Sequence, residues 1–463
     1  MLKRIFIMVL ILIIILPFSF SENMKLEDSF HIHLDSIIVD AHNDTMMKIV
    51  DDDTWLPYMD IGHESTNQID INKMRAGNLS VGFFAAYSSA YYGRETRSTS
   101  RTLALINALY ASERNNPHII KIASNFKDIE SGVLDGKIVA VPTIEGAYSL
   151  TKENAIELLG QYKDLKVKAI GFTWNYSNQL AEGTYKAFAD ANGTPSPAGL
   201  TDLGIQVLEE MNSLGMIIDV SHLSVDSFFD VVKHSKAPII ASHSGVYSIK
   251  AHTRNLTDNQ LLAIKENGGL VGVVLYPEFL GEDGNVYISD FVDHVDYIVD
   301  LIGIDHVGLG SDFDGATMPN DLEDVSDIYK ITDELYRRGY SRQDIQKFLG
   351  KNTLKLIKEV EYLDKDKNES SIKILSEINM GDMISPDKRD FTARVEEPSS
   401  LKLDSIRVIL NGIEKTSTFD ESQGIISMKI NEPLKEKFNV LTFEVKDKDD
   451  LIKRETLIFY VNM

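Results

Sequence analysis

Eight short apolar runs, each followed by a stretch of helical periodicity, constrain this chain more than any other feature. They are IIVDAHND (37–44), LSVGFFAAY (79–87), KIVAVPTI (137–144), VKAIGFT (167–173), GMIIDV (215–220), PIIAS (238–242), GLVGVVL (269–275) and HVGLG (306–310). Runs of this length, rich in β-branched residues, read as buried strands. Between them the spacing predicts helices over 69–77, 98–115, 154–162, 201–214, 225–234, 257–267, 288–302, 328–338 and 341–360. Strand–helix alternation of this kind builds a parallel sheet. A doubly wound open sheet would alternate similarly, but eight is the number that closes a (β/α)8 TIM-type barrel. The fold class expected is therefore α/β, with the barrel over 30–361.

Barrel enzymes carry their chemistry at the C-terminal ends of the strands, and polar residues gather there. The first run ends in His42-Asn43-Asp44. Residues two apart on an extended chain share a side, so imidazole and carboxylate could reach one cation. Glu145 follows the third run, His222 the fifth, His243 the sixth and Asp312 the eighth. His42, Asp44, His222 and His243 offer the nitrogen and oxygen donors that suit Zn²⁺. Glu145 could bridge two such ions. Two metals can clamp one hydroxide, lower its pKa and polarise a carbonyl. Asp312 is the remaining acid, able to move a proton; with Asp314 it could instead cap the turn after the eighth run.

The N-terminus MLKRIFIMVLILIIILPFSFSEN has a basic start, an apolar run from Ile5 to Leu16 and small residues at Ser19 and Ser21. That is the layout of a signal peptide over 1–21, cleaved after Ser21. Secretion, or an extracytoplasmic place at the cell surface, is the localisation expected; an uncleaved membrane anchor is the alternative. The absence of cysteine excludes disulfides, thiolate ligands and an acylated Cys. A formal charge of −23 argues against nucleic acid as a partner.

From about Tyr362 the composition changes to a charged linker, read as 362–381. Beyond it, SIRVILNG, GIISMKI, FNVLTFEV and TLIFYVN alternate between turn signals. This predicts a small all-β sandwich over 382–463, with no titratable cluster that reads as chemistry. Attachment, spacing or stability is its expected role.

The barrel region resembles the membrane (renal-type) dipeptidases, zinc peptidases within the amidohydrolase-like barrels. The stretches VDAHNDT, INKMRAGNLSVGFFAAY, TIEGAYSL, GMIIDVSHLS, APIIASHSGVYSI, TRNLTD and DHVGLGSDFDGA carry the likeness, from about Ser36 to Val360. The resemblance implies that His42 and Asp44 bind one zinc, and His222 and His243 the other. Glu145 and a hydroxide would bridge them, and Asp312 would be the acid/base. Arg254, in HTRNLTD, would hold the carboxylate of a dipeptide substrate; without the resemblance it would read as a solvated loop arginine. Animal members tolerate a D-residue on the C-terminal side, and members often form homodimers, so both are expectations here.

One departure stands out. Animal members have a histidine after the fourth strand, where this chain has Trp174. A group that both donates and accepts has become a large ring with one N–H. Asn175 or Asn178 could supply the polar contact instead, and Tyr148 stands where many members have histidine. The C-terminal segment resembles the Ig-like domains appended to bacterial exported enzymes. Two other functions fit the same residues: opening of a lactone or another amide at the metal site, and an inactive barrel serving a surface-binding protein.

Overall fold

The computed structural model describes residues 28–92, 96–188, 194–282, 284–365 and 369–462; the signal-peptide segment 1–21 lies outside them. Nine strands build the first sheet: β1 (Ile38–Asn43), β2 (Leu79–Tyr87), β3 (Ile120–Ile122), β4 (Ile138–Glu145), β5 (Ala169–Gly171), β6 (Ile217–Asp219), β7 (Ile240–Ser244), β8 (Leu270–Val273) and β9 (Val307–Leu309). All pairings are parallel, and β1, β2 and β4 to β9 close into a ring of eight, the expected barrel. β3 is additional. It pairs with the first half of β4, below the point where β5 begins to pair.

The helices expected from the periodicity are present, Phe126–Leu134 is one that it did not place, and local chemistry sets their ends. Thr201 caps Asp202–Ser213 by accepting from the Gly204 N–H. Thr257 and Gln260 form a reciprocal box at the start of Asp258–Asn267, which Gly268 ends at φ 78°. The helix expected over 341–360 is three pieces: Arg342–Gln346, a π-turn at Lys347–Lys351, and Asn352–Glu361. The break has a steric cause. A Cβ on Gly350 would lie 2.2 Å from the Ile37 carbonyl oxygen, so the chain here presses directly on the start of β1.

The C-terminal region forms two sheets. β10 (Ile374–Ser376), β12 (Asp390–Val395), β16 (Ile425–Lys429) and β15 (Ser417–Asp420) make one; β11 (Asp382–Ile384), β18 (Ile452–Val461), β17 (Phe438–Lys446), β13 (Arg407–Leu410) and β14 (Ile413–Lys415) make the other. Their facing sides enclose a separate core that includes Phe391, Val408, Ile426, Phe443 and Phe459. The stretch read as linker, 362–381, thus contains β10, because Ile372 and Ile374 alternate into this core.

The sandwich is docked rather than tethered. β17 is buried on both faces: Phe438 and Val440, with Ile458 of β18, join the main barrel core. Each such large side chain contributes about 1.5–3 kcal/mol by leaving water. Among the described residues no helix is long and apolar enough to cross a membrane.

Candidate metal centre

The predicted ligands converge on one mouth of the barrel. His42 lies within β1, Glu145 ends β4, and His243 lies within β7. His222 and Asp312 each follow their strand by three residues. β1 and β7 lose regular register between Asp40 and Asn43 and between Ala241 and Ser244, the steps that carry His42 and His243. Such irregularities re-aim side chains. His222, Asp312 and Asn175 adopt left-handed backbone, at φ 65°, 64° and 55°. Each such residue costs on the order of 1–3 kcal/mol and persists only where its surroundings hold it. For Asp312 the hold comes from next door: Asp40 accepts from the Ser311 N–H and hydroxyl, both at 2.8 Å.

The donors crowd one another. His42 Nε2 lies 3.7 Å from Asp44 Oδ2, 3.8 Å from Glu145 Oε1 and 4.0 Å from Asp312 Oδ1. Glu145 Oε1 lies 2.9 Å from His222 Nε2 and 3.4 Å from His243 Nε2. His42 Nε2, Asp44 Oδ1 and Glu145 Oε2 are buried without a hydrogen-bond partner. Buried polar atoms are normally satisfied, and three orphans in one pocket call for a ligand. Two ligand atoms about 2.1 Å from a tetrahedral zinc sit roughly 3.4 Å apart; the His42 and Glu145 contacts span that value. Among the described residues, two groups could hold an ion: His42, Glu145 and His243, and His42, Asp44 and Asp312. Gly315 completes the cradle, because a Cβ there would lie 2.2 Å from Asp44 Oδ2. The residues fit a metal.

Electrostatics point the same way. Burial, reinforced by Asp44, pushes the Glu145 carboxyl well above its usual range. Burial also raises Asp312, to about 7, against the pull of His42. Burial would lower His42, but Glu145, Asp44 and Asp312 overcome it and lift the ring to about 10. Burial holds His222 and His243 far below the usual imidazole value. On its own, the mouth must protonate one ring to offset its carboxylates; a divalent cation would offset them and leave that ring free to ligate.

Of the expected substrate contacts, Arg254 is brought to the mouth. Nη2 donates to the His243 carbonyl at 3.1 Å, Nε is buried without a partner, and the guanidinium lies 5.6 Å from the Phe279 ring centroid. Burial lowers it to about 10, with Glu145 and Asp312 opposing, so it stays charged near neutrality. Beside it opens a cavity of about 300 Å³ walled by His222, Leu223, Tyr247 and Leu256. Trp174 stands 5.9 Å from the His222 ring and edge-on to Tyr87 at 5.1 Å. Tyr148 donates to the Tyr176 carbonyl at 2.7 Å and lies 3.0 Å from that of Trp174, clamping this turn.

Asn175 and Asn178 are engaged elsewhere. Asn175 Oδ1 accepts from His222 Nδ1 at 2.9 Å, so this asparagine orients the His222 ring. Asn178 donates to the Phe172 carbonyl and accepts from two N–H groups of its own loop. Asp314 accepts from Gln68 N, whereas the Asp312 carboxylate faces His42; the shared-cap reading of the pair does not hold. The sequence reading missed Asp219 and Ser242, buried beneath the histidines. A signal was present for one of them: Asp219 is the lone polar residue of its strand, whereas Ser242 precedes His243 and Ser244 in a polar end of β7.

A family profile described as membrane dipeptidase (peptidase family M19) matches residues 26–371. The chain is 35% identical over 263 residues to an uncharacterized protein in the pqqA 5′ region of Klebsiella pneumoniae, covering 56% of this chain and 94% of that one. It is 32% identical over 310 residues to dipeptidase aclJ of Aspergillus oryzae, covering 65% and 72%. Among solved structures, it is similar to a Rhodobacter sphaeroides metallopeptidase liganded with a phosphinate mimic of the dipeptide L-Ala-D-Ala. That match has a TM-score of 0.62 and 27% identity, over 70% of this chain and 100% of the other. The probable dipeptidase PvdM of Pseudomonas aeruginosa shares the fold, with a TM-score of 0.64 and 24% identity over 74% and 99%. The sandwich lies beyond the family match.

Proposed function

The chain belongs to the membrane dipeptidase family and is a metal-dependent hydrolase; on that premise we propose an exported dipeptidase that holds two zinc ions. Its substrate is a dipeptide with a free C-terminal carboxylate, D-residues at that side included. The observation that carries this reading is the convergence of three unpartnered buried polar atoms, His42 Nε2, Asp44 Oδ1 and Glu145 Oε2, at one barrel mouth. His42 and Asp44 hold one ion, His222 and His243 the other, and Glu145 lies between. Bound zinc supplies Lewis acidity and a water of lowered pKa.

The protein's own groups do the rest. Arg254 offers a buried, unpartnered Nε–H and a fixed charge, suited to the terminal carboxylate. Asp312, at the rim and facing His42, takes the proton of the attacking water and delivers it to the leaving amine. Trp174 walls the mouth on the side of His222 and Tyr87. The relative seen with an L-Ala-D-Ala mimic supports tolerance of a D-residue. The basic, then apolar, 1–21 segment supports export.

The test is a substrate panel on zinc-loaded protein: L-Ala-D-Ala, L-Ala-L-Ala, a tripeptide and a lactone, with wild type and Asp312→Asn. Dipeptide cleavage that falls sharply in Asp312→Asn, with metal content unchanged, supports the reading. Activity on the lactone alone would assign the centre to the other chemistry.

A further inference from the structure

Resting on the two-ion reading above, we infer that Asp219 and Ser242 form a proton-directing relay that fixes the tautomer of the ligand histidines. The direction of one hydroxyl then decides whether the mouth can hold metal.

Asp219 ends β6 and is buried. Its Oδ1 accepts the backbone N–H groups of Ser221 and Ser242, each at 3.0 Å. Its Oδ2 receives the Ser242 hydroxyl at 2.5 Å, the shortest contact that oxygen makes. A serine has a single proton to give, and here it points at the carboxylate. The lone pairs of Ser242 Oγ are left for His243 Nδ1 at 2.8 Å and, at longer reach, His42 Nδ1 at 3.4 Å; Ser221 Oγ also lies at 3.4 Å.

The consequence is a matter of lone pairs. Facing an oxygen that can only accept, His243 Nδ1 must carry its hydrogen, which leaves Nε2 bare toward Glu145 and His222. The opposite tautomer would set two acceptors 2.8 Å apart beneath the ring and put an N–H where a ligand atom is needed. The His42 ring lies 3.9 Å from that of His243, tilted by 32°, and the same hydroxyl oxygen is within reach of both Nδ1 atoms. In the two-ion assignment these rings belong to different ions. Asn175 does the equivalent for His222 alone. Ser242 and His243 are consecutive, and in a regular strand they would face opposite sides. The irregular register of β7 lies at this step. Asp219 and Ser242 are positioning residues: they act through the ligands.

The experiment turns the relay around. In Asp219→Asn, Oδ1 keeps the two backbone N–H groups and Nδ2 faces Ser242 Oγ, donating to it. One lone pair is then taken by Nδ2, and the hydroxyl proton must turn to an imidazole, His243 Nδ1 at 2.8 Å or His42 Nδ1 at 3.4 Å; the ring that receives it carries its own hydrogen on Nε2, where it blocks coordination. Ser242→Ala only removes the relay and leaves the ring free to choose. Zinc affinity of the full-length chain, measured by chelator competition, should fall about tenfold in Ser242→Ala and about a hundredfold in Asp219→Asn. The double variant should recover to the Ser242→Ala level, because no hydroxyl remains to be turned. Cobalt spectra of the same proteins should lose histidine-ligand bands in the same order.

A packing role predicts the reverse: the isosteric Asn silent, the alanine cavity worse, and the double variant worst. That order, or Asp219→Asn binding zinc like wild type, overturns the relay and leaves the proposed function standing. A wild-type chain that binds no zinc overturns both.

Discussion

The polar cluster where the sandwich meets the barrel and the polar cluster at the barrel mouth are built on opposite plans. Where the sandwich meets the barrel, Glu444 sits between Arg407 at 3.0 Å and Arg454 at 2.6 Å. Arg407 reaches on to Glu414 and Glu157, and Thr456 donates to Asp164. Gln161 donates to the Ile409 carbonyl and Thr442 hydroxyl and accepts from Gly412 N. Charges alternate in sign and donors meet acceptors. At the mouth, by contrast, carboxylates and imidazole nitrogens crowd one another at 2.9–4.0 Å, and three of their atoms have no partner. Selection for a stable fold accounts for the first cluster. The second makes sense only if something outside the chain completes it.

The comparison breaks or sharpens under substitution. Glu145→Gln should lower dipeptide turnover by about three orders of magnitude, several kcal/mol in the barrier. Thermal unfolding of the metal-free protein should hold or rise, because a carboxyl that burial and Asp44 push up is gone. Glu444→Gln should do the converse: a loss of about 3 kcal/mol in urea unfolding, with kcat and metal content unchanged. If Glu444→Gln silenced the enzyme and Glu145→Gln unfolded it, the division would be wrong.

A third buried group, His33, calibrates the pair, being titratable yet fully satisfied. Its Nε2 donates to the Gly77 carbonyl at 3.0 Å and its Nδ1 accepts from Thr332 at 2.8 Å. Burial depresses the ring from 6.5 to about 4, against the Gly77 bond. The unfolded chain takes a proton near pH 6.5 and the folded chain only near 4, so stability is intact above 6.5 and falls with pH through that window. The loss reaches about 3 kcal/mol at the bottom. The change in urea midpoint between pH 7 and 4.5 should therefore be larger in wild type than in His33→Gln. The smallest effect belongs to Gln161→Ala, about 2 kcal/mol from the buried groups it strands, again without change in turnover.

Much of this was legible in the sequence, for physical reasons. Each of the eight runs that close the barrel was a strand, because burial on both faces demands unbroken apolar stretches. The convergence of the candidate ligands was legible because imidazoles and carboxylates ending such stretches are out of place there. β3, Ile-Lys-Ile, has a lysine at its centre and only its ends buried, so it leaves no unbroken apolar run. The irregularities in β1 and β7 depend on partners distant in sequence. Asn175 was read as a substrate contact, yet only the folded chain sets it against His222. The sandwich was legible as strands, but its docking was not: β17 alternates like a half-exposed strand, and the helices Thr96–Asn115 and Ala155–Asp164 that cover it are distant in the chain.

The central claim is that the mouth is completed by metal, and one measurement meets it directly. The purified full-length chain is stripped with a chelator, zinc is returned in steps, and zinc content and L-Ala-D-Ala hydrolysis are read on the same samples. The account predicts an inert stripped protein that recovers activity as it takes up about two zinc ions per chain. A stripped protein that hydrolyses at the full rate, or a folded one that takes up no zinc, would contradict it.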